Sequence, residues 1–402
     1  MRRRLQAGMT LIEMMVAIAV SMILSVAVMA VMSSFEGRRR TLGSASDLDQ
    51  QGSLAMYQID RWVRSAGSGL VTANTYNYGC RLFAATSSPT AKQLLPLAAG
   101  LPAPFASLAE NSTATTTYRL APVVIVSGGT LPAISGQRSD ALVVMSSGND
   151  GAQVPLPFDA PPAAASLTLK NVTEMAAGDL LLLVDKQMQA SSGPQDCMVT
   201  QADTSTPATG ISTTLSLAGN YYAATISTRS VTDYTSDALA IDLGGTSGTG
   251  SSLPPSFQVV GVGDNNTLYS YDLLQLAGST PLAQAEGVFE MHAIYGVDTN
   301  SDNKIDDWVD ASAASAYSSD KLTDGSPGAI QLLKNIRAVR VALILRTALP
   351  EKDPVKASTT LSMFSDPDLP ASVVKTRTLS SAEQYYRYRI VESTIPVRNN
   401  QY

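Results

Sequence analysis

The sequence predicts an α+β protein: a long N-terminal helix, whose first half crosses a membrane, packed on a large antiparallel β-rich domain. Three observations predict this fold. A basic stretch precedes an apolar run from Met9 to Phe35, and an amphipathic pattern continues the run. From residue 67 onward, short apolar segments alternate with clusters of Gly, Pro, Ser and Thr. With 402 residues, 45% of them hydrophobic, the chain can bury a sizeable core.

The apolar run has the length of a membrane-spanning helix. As an α-helix, residues 9–35 would extend roughly 40 Å at ~1.5 Å per residue, enough to cross a bilayer. Glu13 is the one ionisable residue of the run. A carboxylate costs roughly 3 kcal/mol inside a membrane on insertion scales, which favours a role with a specific cationic partner. Three arginines precede the run and three follow it at residues 38–40, so positive charge does not decide the orientation.

The second part of the helix is predicted at residues 36–66. Leu48, Leu54, Ile59 and Val63 lie among charged and polar residues, a spacing compatible with an amphipathic helix. Gly67 follows and is expected to end the helix. We interpret the apolar stripe as the face that packs on the globular domain.

Residues 67–402 have the pattern of a β-rich domain. Apolar runs of strand length lie at residues 123–126, 141–145, 180–184, 257–262, 288–295, 339–345 and 388–397. Residues 204–214 and 244–256 are rich in Gly, Ser, Thr and Pro and are predicted as exposed loops. The second of these loops predicts a division into two lobes near residues 245–256.

Two cysteines, Cys80 and Cys197, both follow the apolar run and therefore lie on the same side of any membrane. In an oxidising compartment they can pair, and we predict a disulfide between them. Two separate buried thiols are the alternative. A closed zinc site is not supported, because two thiols and His292, the one histidine, provide too few ligands.

An acidic segment at residues 298–307 resembles a calcium loop in its alternation of oxygen-bearing side chains. A tightly turning loop directs every second side chain toward one point, where a hard cation requires six to eight oxygens. The candidate ligands are the side chains of loop positions 1, 3, 5 and 9 and one backbone carbonyl: Asp298, Asn300, Asp302, Asp306 and Lys304.

Three further positions of this acidic loop bear on calcium binding. Asn303 replaces the usual glycine at position 6, and Asn tolerates a left-handed backbone. Ile305 is predicted to anchor the loop apolarly. Val309 stands where a full calcium loop has its bidentate glutamate. A solvated Asp/Asn turn between strands is therefore the alternative interpretation.

Composition and motifs disfavour several function classes. A formal net charge of −6 argues against a nucleic-acid partner, since such binding requires clustered Lys and Arg. The sequence contains no nucleophile-elbow, Walker, dinucleotide or metalloprotease motif, and His292 is interpreted as a strand residue, so no enzyme is predicted. A glycosidase-type carboxylate pair has no required spacing and stays open. An anchored carbohydrate-binding module would need an exposed aromatic platform, and only Trp62 and Trp308 are tryptophans.

The opening MRRRLQAG, followed by MTLIE, is similar to the type III signal of type IV pilins and type II secretion pseudopilins. In those proteins a prepilin peptidase cuts after the glycine and methylates the new amine, and the glutamate meets the terminal amine of a neighbouring subunit. The resemblance implies these roles for Gly8, Met9 and Glu13, and makes residues 1–8 a leader. A plain signal anchor with an incidental glutamate is the alternative.

Later segments resemble the PilW family of type IV pilus minor pilins, in order and rough spacing: residues 60–67, 79–80, 139–142, 286–288, 295–298 and 394–399. The resemblance implies a role in priming pilus assembly or at the pilus tip. The implied partners are other minor and major pilins, the prepilin peptidase and the assembly machinery. The implied location is the inner membrane, with the domain in the periplasm and later in the extracellular pilus. A pseudopilin of a type II secretion system is the alternative.

Overall fold

The computed structural model describes residues 10–70, 73–98, 100–109, 117–134, 137–148, 154–172, 175–186, 196–204, 214–246, 253–355 and 359–400. Gly8 and Met9 lie outside the described residues, as do the central parts of the two predicted loops, residues 205–213 and 247–252. Two compact units make up the chain, Met1–Gln50 and Gln51–Tyr402.

The regular elements begin with helices and continue mostly as strands. The helices are α1 (Leu11–Ser65), α2 (Asn74–Asn77), α3 (Ser319–Leu322) and α4 (Pro327–Asn335), with short 3-10 turns at Phe105–Ala109, Val231–Asp233, Ala371–Val373, Glu383–Tyr385 and Arg398–Asn400. The first strands are β1 (Arg81–Thr86), β2 (Lys92–Leu95), β3 (Val123–Ile134), β4 (Gln137–Ser146), β5 (Leu156–Pro157), β6 (Ser166–Thr168), β7 (Leu180–Asp185), β8 (Asp196–Gln201), β9 (Thr214–Ser216), β10 (Thr225–Ile226) and β11 (Arg229–Ser230). The remaining strands are β12 (Ala238–Gly244), β13 (Ser256–Gly263), β14 (Thr267–Asp272), β15 (Leu282–Glu286), β16 (Val288–Val297), β17 (Asp307–Val309), β18 (Ile336–Arg346), β19 (Thr360–Met363), β20 (Lys375–Thr378) and β21 (Tyr388–Pro396).

In the first unit, α1 begins with an exposed apolar segment. Leu11–Met32 is a stretch of 22 residues with a mean hydropathy of 2.6, and none of it is buried. The hydroxyls of Ser21 and Ser25 donate to the carbonyls of Ile18 and Ser21, so these polar groups are satisfied within the helix. By length and composition this segment can span a membrane.

The second unit is built from three larger sheets. A six-stranded sheet has the order β2-β1-β8-β7-β12-β5, a five-stranded sheet β15-β14-β13-β4-β3, and a four-stranded sheet β17-β16-β18-β21. All seven apolar runs predicted as strands form strands, and the predicted α+β fold class is confirmed. Among the described strands, β1 and β8 form the one parallel pair; the remaining pairings are antiparallel.

Two apolar clusters among the described residues pack smaller strands onto these sheets. One packs β6 and β9 onto the six-stranded sheet, and includes Leu167, Leu183, Met198, Leu215 and Tyr234. The other covers the four-stranded sheet with the β19–β20 hairpin, and includes Phe289, Ile344, Met363, Phe364 and Leu379. Each fully buried aliphatic side chain contributes roughly 1.5–3 kcal/mol, so these clusters fix the positions of the strands that carry the charged side chains described below.

The later part of α1 packs on the four-stranded sheet. Ala55, Ile59 and Val63 recur every four residues and are almost completely buried. Leu54, predicted in the same stripe, is 42% exposed, because it precedes Ala55 and so lies on another face of the helix. At Gly52 an added Cβ would lie 2.3 Å from Cδ1 of Leu345 and 3.5 Å from Cγ2 of Val391, so the helix approaches β18 and β21 closely because this residue has no side chain.

The end of α1 is held by a residue far away in the sequence. Nδ2 of Asn399 lies 3.5, 3.4 and 3.3 Å from the carbonyl oxygens of Arg64, Ser65 and Ala66. These are among the carbonyls that a helix leaves without partners at its C-terminus. Asn399 therefore ties the helix end to the segment that follows β21.

Candidate functional site

Glu13 lies in the first turn of α1 and takes part in a capping box with Thr10. Its Oε2 accepts hydrogen bonds from the backbone N–H and the hydroxyl of Thr10, both at 3.0 Å, and the Thr10 hydroxyl accepts from the Glu13 N–H at 3.3 Å. Oε1 has no partner within the described residues, and the side chain is exposed. The cap thus leaves one carboxylate oxygen available to a cation from another molecule.

The two cysteines are joined in the structure. Cys80 and Cys197 form a disulfide with a Cα–Cα distance of 5.6 Å, and both residues are buried. Cys80 directly precedes β1, and Cys197 lies in β8 opposite Leu82 in the parallel pair. The disulfide therefore fixes the start of the one parallel strand pairing among the described strands.

The acidic loop at residues 298–306 connects β16 to β17. These strands form an antiparallel hairpin in which Val297 pairs with Asp307, and the loop closes with a hydrogen bond from the Asp306 N–H to the Val297 carbonyl at 2.9 Å. Two loop residues have a left-handed backbone, Ser301 and Asn303, each with φ of 66°. Asn303 is the position where a calcium loop usually has glycine, and its conformation is the one that the sequence analysis expected of it.

The turns of this loop bring three carboxylates together. Carboxylate oxygens of Asp298, Asp302 and Asp306 lie within 4.8 Å of one another. The Asp302 N–H donates to Oδ1 of Asn300 at 2.9 Å, which directs that amide oxygen inward along the loop. The Lys304 N–H donates to Oδ1 of Asp302 at 2.9 Å. Four of the five predicted ligand residues are thus linked through side-chain contacts inside one tight turn.

Asp298 already has a cationic partner that the sequence analysis did not identify. Nη2 and Nε of Arg337 lie 2.8 and 3.0 Å from its Oδ2, and the N–H groups of Ser301 and Asn303 donate to its two oxygens. Burial alone would raise the pKa of Asp298. The Arg337 guanidinium and these backbone N–H groups lower it by more than burial raises it, so the net pKa lies below its ordinary value. Asp298 is therefore ionised at neutral pH, with or without a metal ion.

The donor set fits a weak oxygen-ligand site. Two of the three carboxylates, those of Asp302 and Asp306, are exposed, although both oxygens of Asp306 accept hydrogen bonds from Thr299 and Asn300. Against this, Arg337 supplies part of the positive charge that a metal ion would supply. Ile305, predicted as an apolar anchor, is 38% exposed, although its side chain also lies against Gly296.

His292 lies on β16, as expected of a strand residue, and is buried. Its ring nitrogens face the carboxylates of Asp140 and Glu290. We find no hydroxyl or thiol nucleophile among its described polar contacts, which are to carboxylates.

Two family models match the chain. The prokaryotic N-terminal methylation motif matches residues 3–29, which include Gly8, Met9 and Glu13. The model described as Type IV Pilus-assembly protein W, PilW, matches residues 259–399, from β13 to the residue that contacts the end of α1. No curated protein and no solved structure matches the chain significantly.

These matches agree with the sequence and with the fold. Both families are structural components of pili rather than enzymes, and membership implies interaction with other pilus components. The exposed apolar segment at the start of α1 fits a single-pass membrane anchor. The resemblance found in the sequence is thus confirmed: the matches support a type IV pilus-related pilin, with the PilW model matching the C-terminal third of the chain.

Proposed function

We propose that this protein is a minor pilin that primes assembly of the pilus or sits at its tip. The observation that carries the proposal is the capped start of α1, where Glu13 presents a free carboxylate oxygen at the head of a 22-residue exposed apolar segment. In a bundle of such helices, that carboxylate would pair with the terminal amine of a neighbouring subunit, Met9 after cleavage at Gly8. Pairing neutralises both charges and sets the axial register of the subunits.

The size of the second unit supports a place at the end of the filament. Residues 51–402 form one compact unit on a single helix, and a unit of this size is easier to accommodate at an end than at every step of a filament. The partners proposed are other minor and major pilins, the prepilin peptidase and the assembly machinery of the inner membrane. A periplasmic location of the domain is supported by the buried disulfide, since disulfides persist in oxidising compartments.

The pairing of Glu13 is tested by Glu13→Gln. Glutamine at this position can keep the capping box but carries no charge, so the helix start is preserved and only the ion pair is lost. Breaking a buried pair costs about 3–5 kcal/mol, and each ~1.4 kcal/mol is tenfold in an equilibrium. We therefore expect at least a tenfold loss of pili, counted by electron microscopy in a strain whose piliation depends on this protein.

The matched control is Thr10→Ala, which removes the capping hydroxyl and keeps the carboxylate. It should support near-normal piliation. Mass spectrometry should find a methylated Met9 in both variants and equal amounts in the membrane fraction. Normal piliation with Glu13→Gln, or equal loss with both variants, would show that the charge of Glu13 does not direct assembly.

A pseudopilin of a type II secretion system is the alternative function, because minor pilins and pseudopilins use the same leader and helix. The PilW match over residues 259–399 favours the pilus. Deletion of the gene should abolish piliation and leave secretion of exoproteins unchanged; the reverse result would support the pseudopilin.

We also propose that the acidic loop binds calcium weakly. The converging carboxylates of Asp298, Asp302 and Asp306 and the left-handed backbone of Asn303 favour this over a solvated turn. Asn300 and the carbonyl of Lys304 would supply further oxygen ligands. Without a glutamate at the position of Val309, the affinity should fall in the ~10⁻⁴ to 10⁻³ M range of extracellular modules. Bound calcium would order the hairpin between β16 and β17.

Calcium binding is tested by thermal unfolding of the purified chain in detergent, with calcium and with chelator. Saturation at about 100 times Kd adds roughly 2.7 kcal/mol of stability, which should raise Tm by a few degrees. Asp302→Asn should abolish the rise, whereas Asp368→Asn, at an exposed site outside the loop, should retain it. If Tm does not rise at several millimolar calcium, the loop is an acidic turn held by Arg337 and does not bind calcium.

A further inference from the structure

A group of buried charged side chains lies where β4 of the five-stranded sheet meets β16 of the four-stranded sheet and the β19–β20 hairpin. We refer to this group as the charged junction, and its members are Asp140, Glu290, His292, Lys375, Arg377 and Glu383. Asp140 lies in one of the segments that resemble the PilW family and the other five lie within the PilW match, but the proposed function assigns no role to any of them. Lys375 is partly exposed, and the other five are buried.

β4 and β16 are joined at the charged junction by side chains that satisfy backbone groups. The hydroxyl of Ser139 accepts the N–H of Met291 at 3.1 Å, and Oδ2 of Asp140 accepts the N–H of Ala293 at 3.0 Å. Oδ1 of Asp140 also accepts the N–H of Gly128 at 3.0 Å. The Asp140 carboxylate thus accepts a backbone N–H of β16, as a carbonyl of a neighbouring strand would. Its charge is fixed between the two sheets.

Each ring nitrogen of His292 faces a carboxylate. Nδ1 lies 3.5 Å from Oδ2 of Asp140, and Nε2 lies 3.3 Å from Oε2 of Glu290. A neutral imidazole has one N–H and one lone pair, so in either tautomer a lone pair would face a carboxylate oxygen. Only the imidazolium places an N–H toward both carboxylates; the Nδ1 contact with Asp140 is the longer of the two and falls short of hydrogen-bond geometry in this structure.

The charge count of the junction leads to the same result. Its three carboxylates are Asp140, Glu290 and Glu383, and its two permanent cations are Lys375, at 3.3 Å from Asp140, and Arg377. With a neutral histidine the group would carry one uncompensated negative charge in the interior, which is costly. A protonated His292 removes that excess.

We propose that His292 is held as an imidazolium and forms a pH-dependent link between the five-stranded and four-stranded sheets, one that weakens as the surrounding medium becomes alkaline. Deprotonation would leave Asp140 with Lys375 as its one cationic partner and would turn a lone pair toward a carboxylate. The contact between β4 and β16 would loosen as a result.

The electrostatic environment of His292 supports this assignment. Burial lowers its pKa, but the contacts with Asp140 and Glu290 and the charge of Asp140 raise it, against a smaller repulsion by Lys375, so the net pKa lies above 6.5. A group whose pKa is higher in the folded than in the unfolded protein stabilises folding fully below its unfolded pKa. That stabilisation is lost as pH rises through the folded pKa, so the junction should weaken above pH 6.5.

His292 can be observed without interference, because it is the one histidine of the chain. We suggest ¹⁵N-histidine labelling of the full chain in detergent micelles, purified with a tag that contains no histidine. The ring nitrogens should report two N–H groups at pH 6 and lose one proton at a pH above 6.5. A single tautomer with one N–H at pH 6 would overturn the proposal.

Stability measurements test whether protonation links the sheets. Tm of the wild type should fall between pH 6.5 and 9, and His292→Gln should lower Tm at pH 6 and remove this pH dependence. Few other groups titrate in this range, because both cysteines are in the disulfide and burial raises the pKa of Tyr295. If His292→Gln keeps the wild-type slope, the link does not exist.

The matched control is Lys334→Arg. Burial lowers the pKa of Lys334, which makes it the competing source of an alkaline transition, and arginine stays charged throughout. The variant should retain the wild-type dependence of Tm on pH. Asp140→Asn provides a second check, because it should lower the pKa of His292 in the ¹⁵N spectrum even where the variant is less stable. An unchanged His292 titration in Asp140→Asn would contradict the assigned contact.

Discussion

Replacing Cys80 and Cys197 together by alanine should lower the free energy of unfolding by about 5 kcal/mol. The two residues are 117 positions apart. In the chain-entropy model, a crosslink over a segment of that length lowers the conformational entropy of the unfolded chain, which corresponds to roughly 5 kcal/mol of stability. The measurement is denaturant unfolding of the full chain in detergent. Both sulfurs are buried, so reduction of the native wild type should be slow and should require opening of the β1–β8 pair.

The control for the cysteine pair is the wild type unfolded in the presence of reductant, which should match the double variant. Non-reducing peptide mapping should find the linked pair in the oxidised protein. A loss below about 1 kcal/mol, together with two freely alkylated thiols, would show that the bond does not form in the cell.

Arg377→Met should have the second large effect, a loss of about 3–5 kcal/mol of stability. Arg377 is completely buried, and its guanidinium lies 2.6 Å from Glu290 and 2.8 Å from Glu383. Methionine fills much of the same space but leaves two carboxylates buried with less positive charge around them. Urea unfolding of the variant should therefore show a midpoint well below that of the wild type.

An exposed ion pair of the same kind is available as a control. Nε of Arg387 lies 2.9 Å from Glu351, but the two side chains are 36% and 34% exposed, and such pairs contribute about 0–1 kcal/mol. Arg387→Met should therefore change stability little. Adding Glu290→Gln and Glu383→Gln to Arg377→Met should recover part of the loss; no recovery would mean that the loss does not come from buried charge.

The strands of the domain were largely predictable because their signal is local. A buried strand requires a mostly apolar run, and each of the seven runs forms a strand, although β21 is only half-buried. The parallel pairing of β1 with β8 was not predictable, since it depends on a connection of more than a hundred residues that no local pattern describes. Very short strands such as β5 and β10 carry no detectable alternation.

One missed helix did have a signal in the sequence. Ser326 precedes Pro327 at the start of α4, and the Ser326 hydroxyl accepts the N–H of Ala329 at 3.1 Å. A serine cap followed by proline at the first helical position is a typical helix start.

The acidic loop and the charged junction differ in how much the sequence shows of them. The carboxylates of the loop are within ten residues, so their alternation predicted their convergence. Arg337, which contacts Asp298, is 39 residues away and could not be found in this way. The charged junction draws on β4, β16 and β20. Its local signals are two pairs spaced two residues apart, Glu290 with His292 on β16 and Lys375 with Arg377 on β20, each of which lies on one face of its strand.

The contact between Asn399 and the end of α1 determines how the subunit can carry mechanical load. A force applied along α1 is transmitted to the domain at two contacts. One is the close approach of Gly52 to Leu345 and Val391, and the other is the contact of Asn399 with the carbonyls at the end of the helix. Both points belong to β18, β21 or the turn that follows β21. In the proposed filament, tension along α1 would thus enter the domain through Asn399, which is 334 positions from the last residue of the helix in sequence and directly beside it in space.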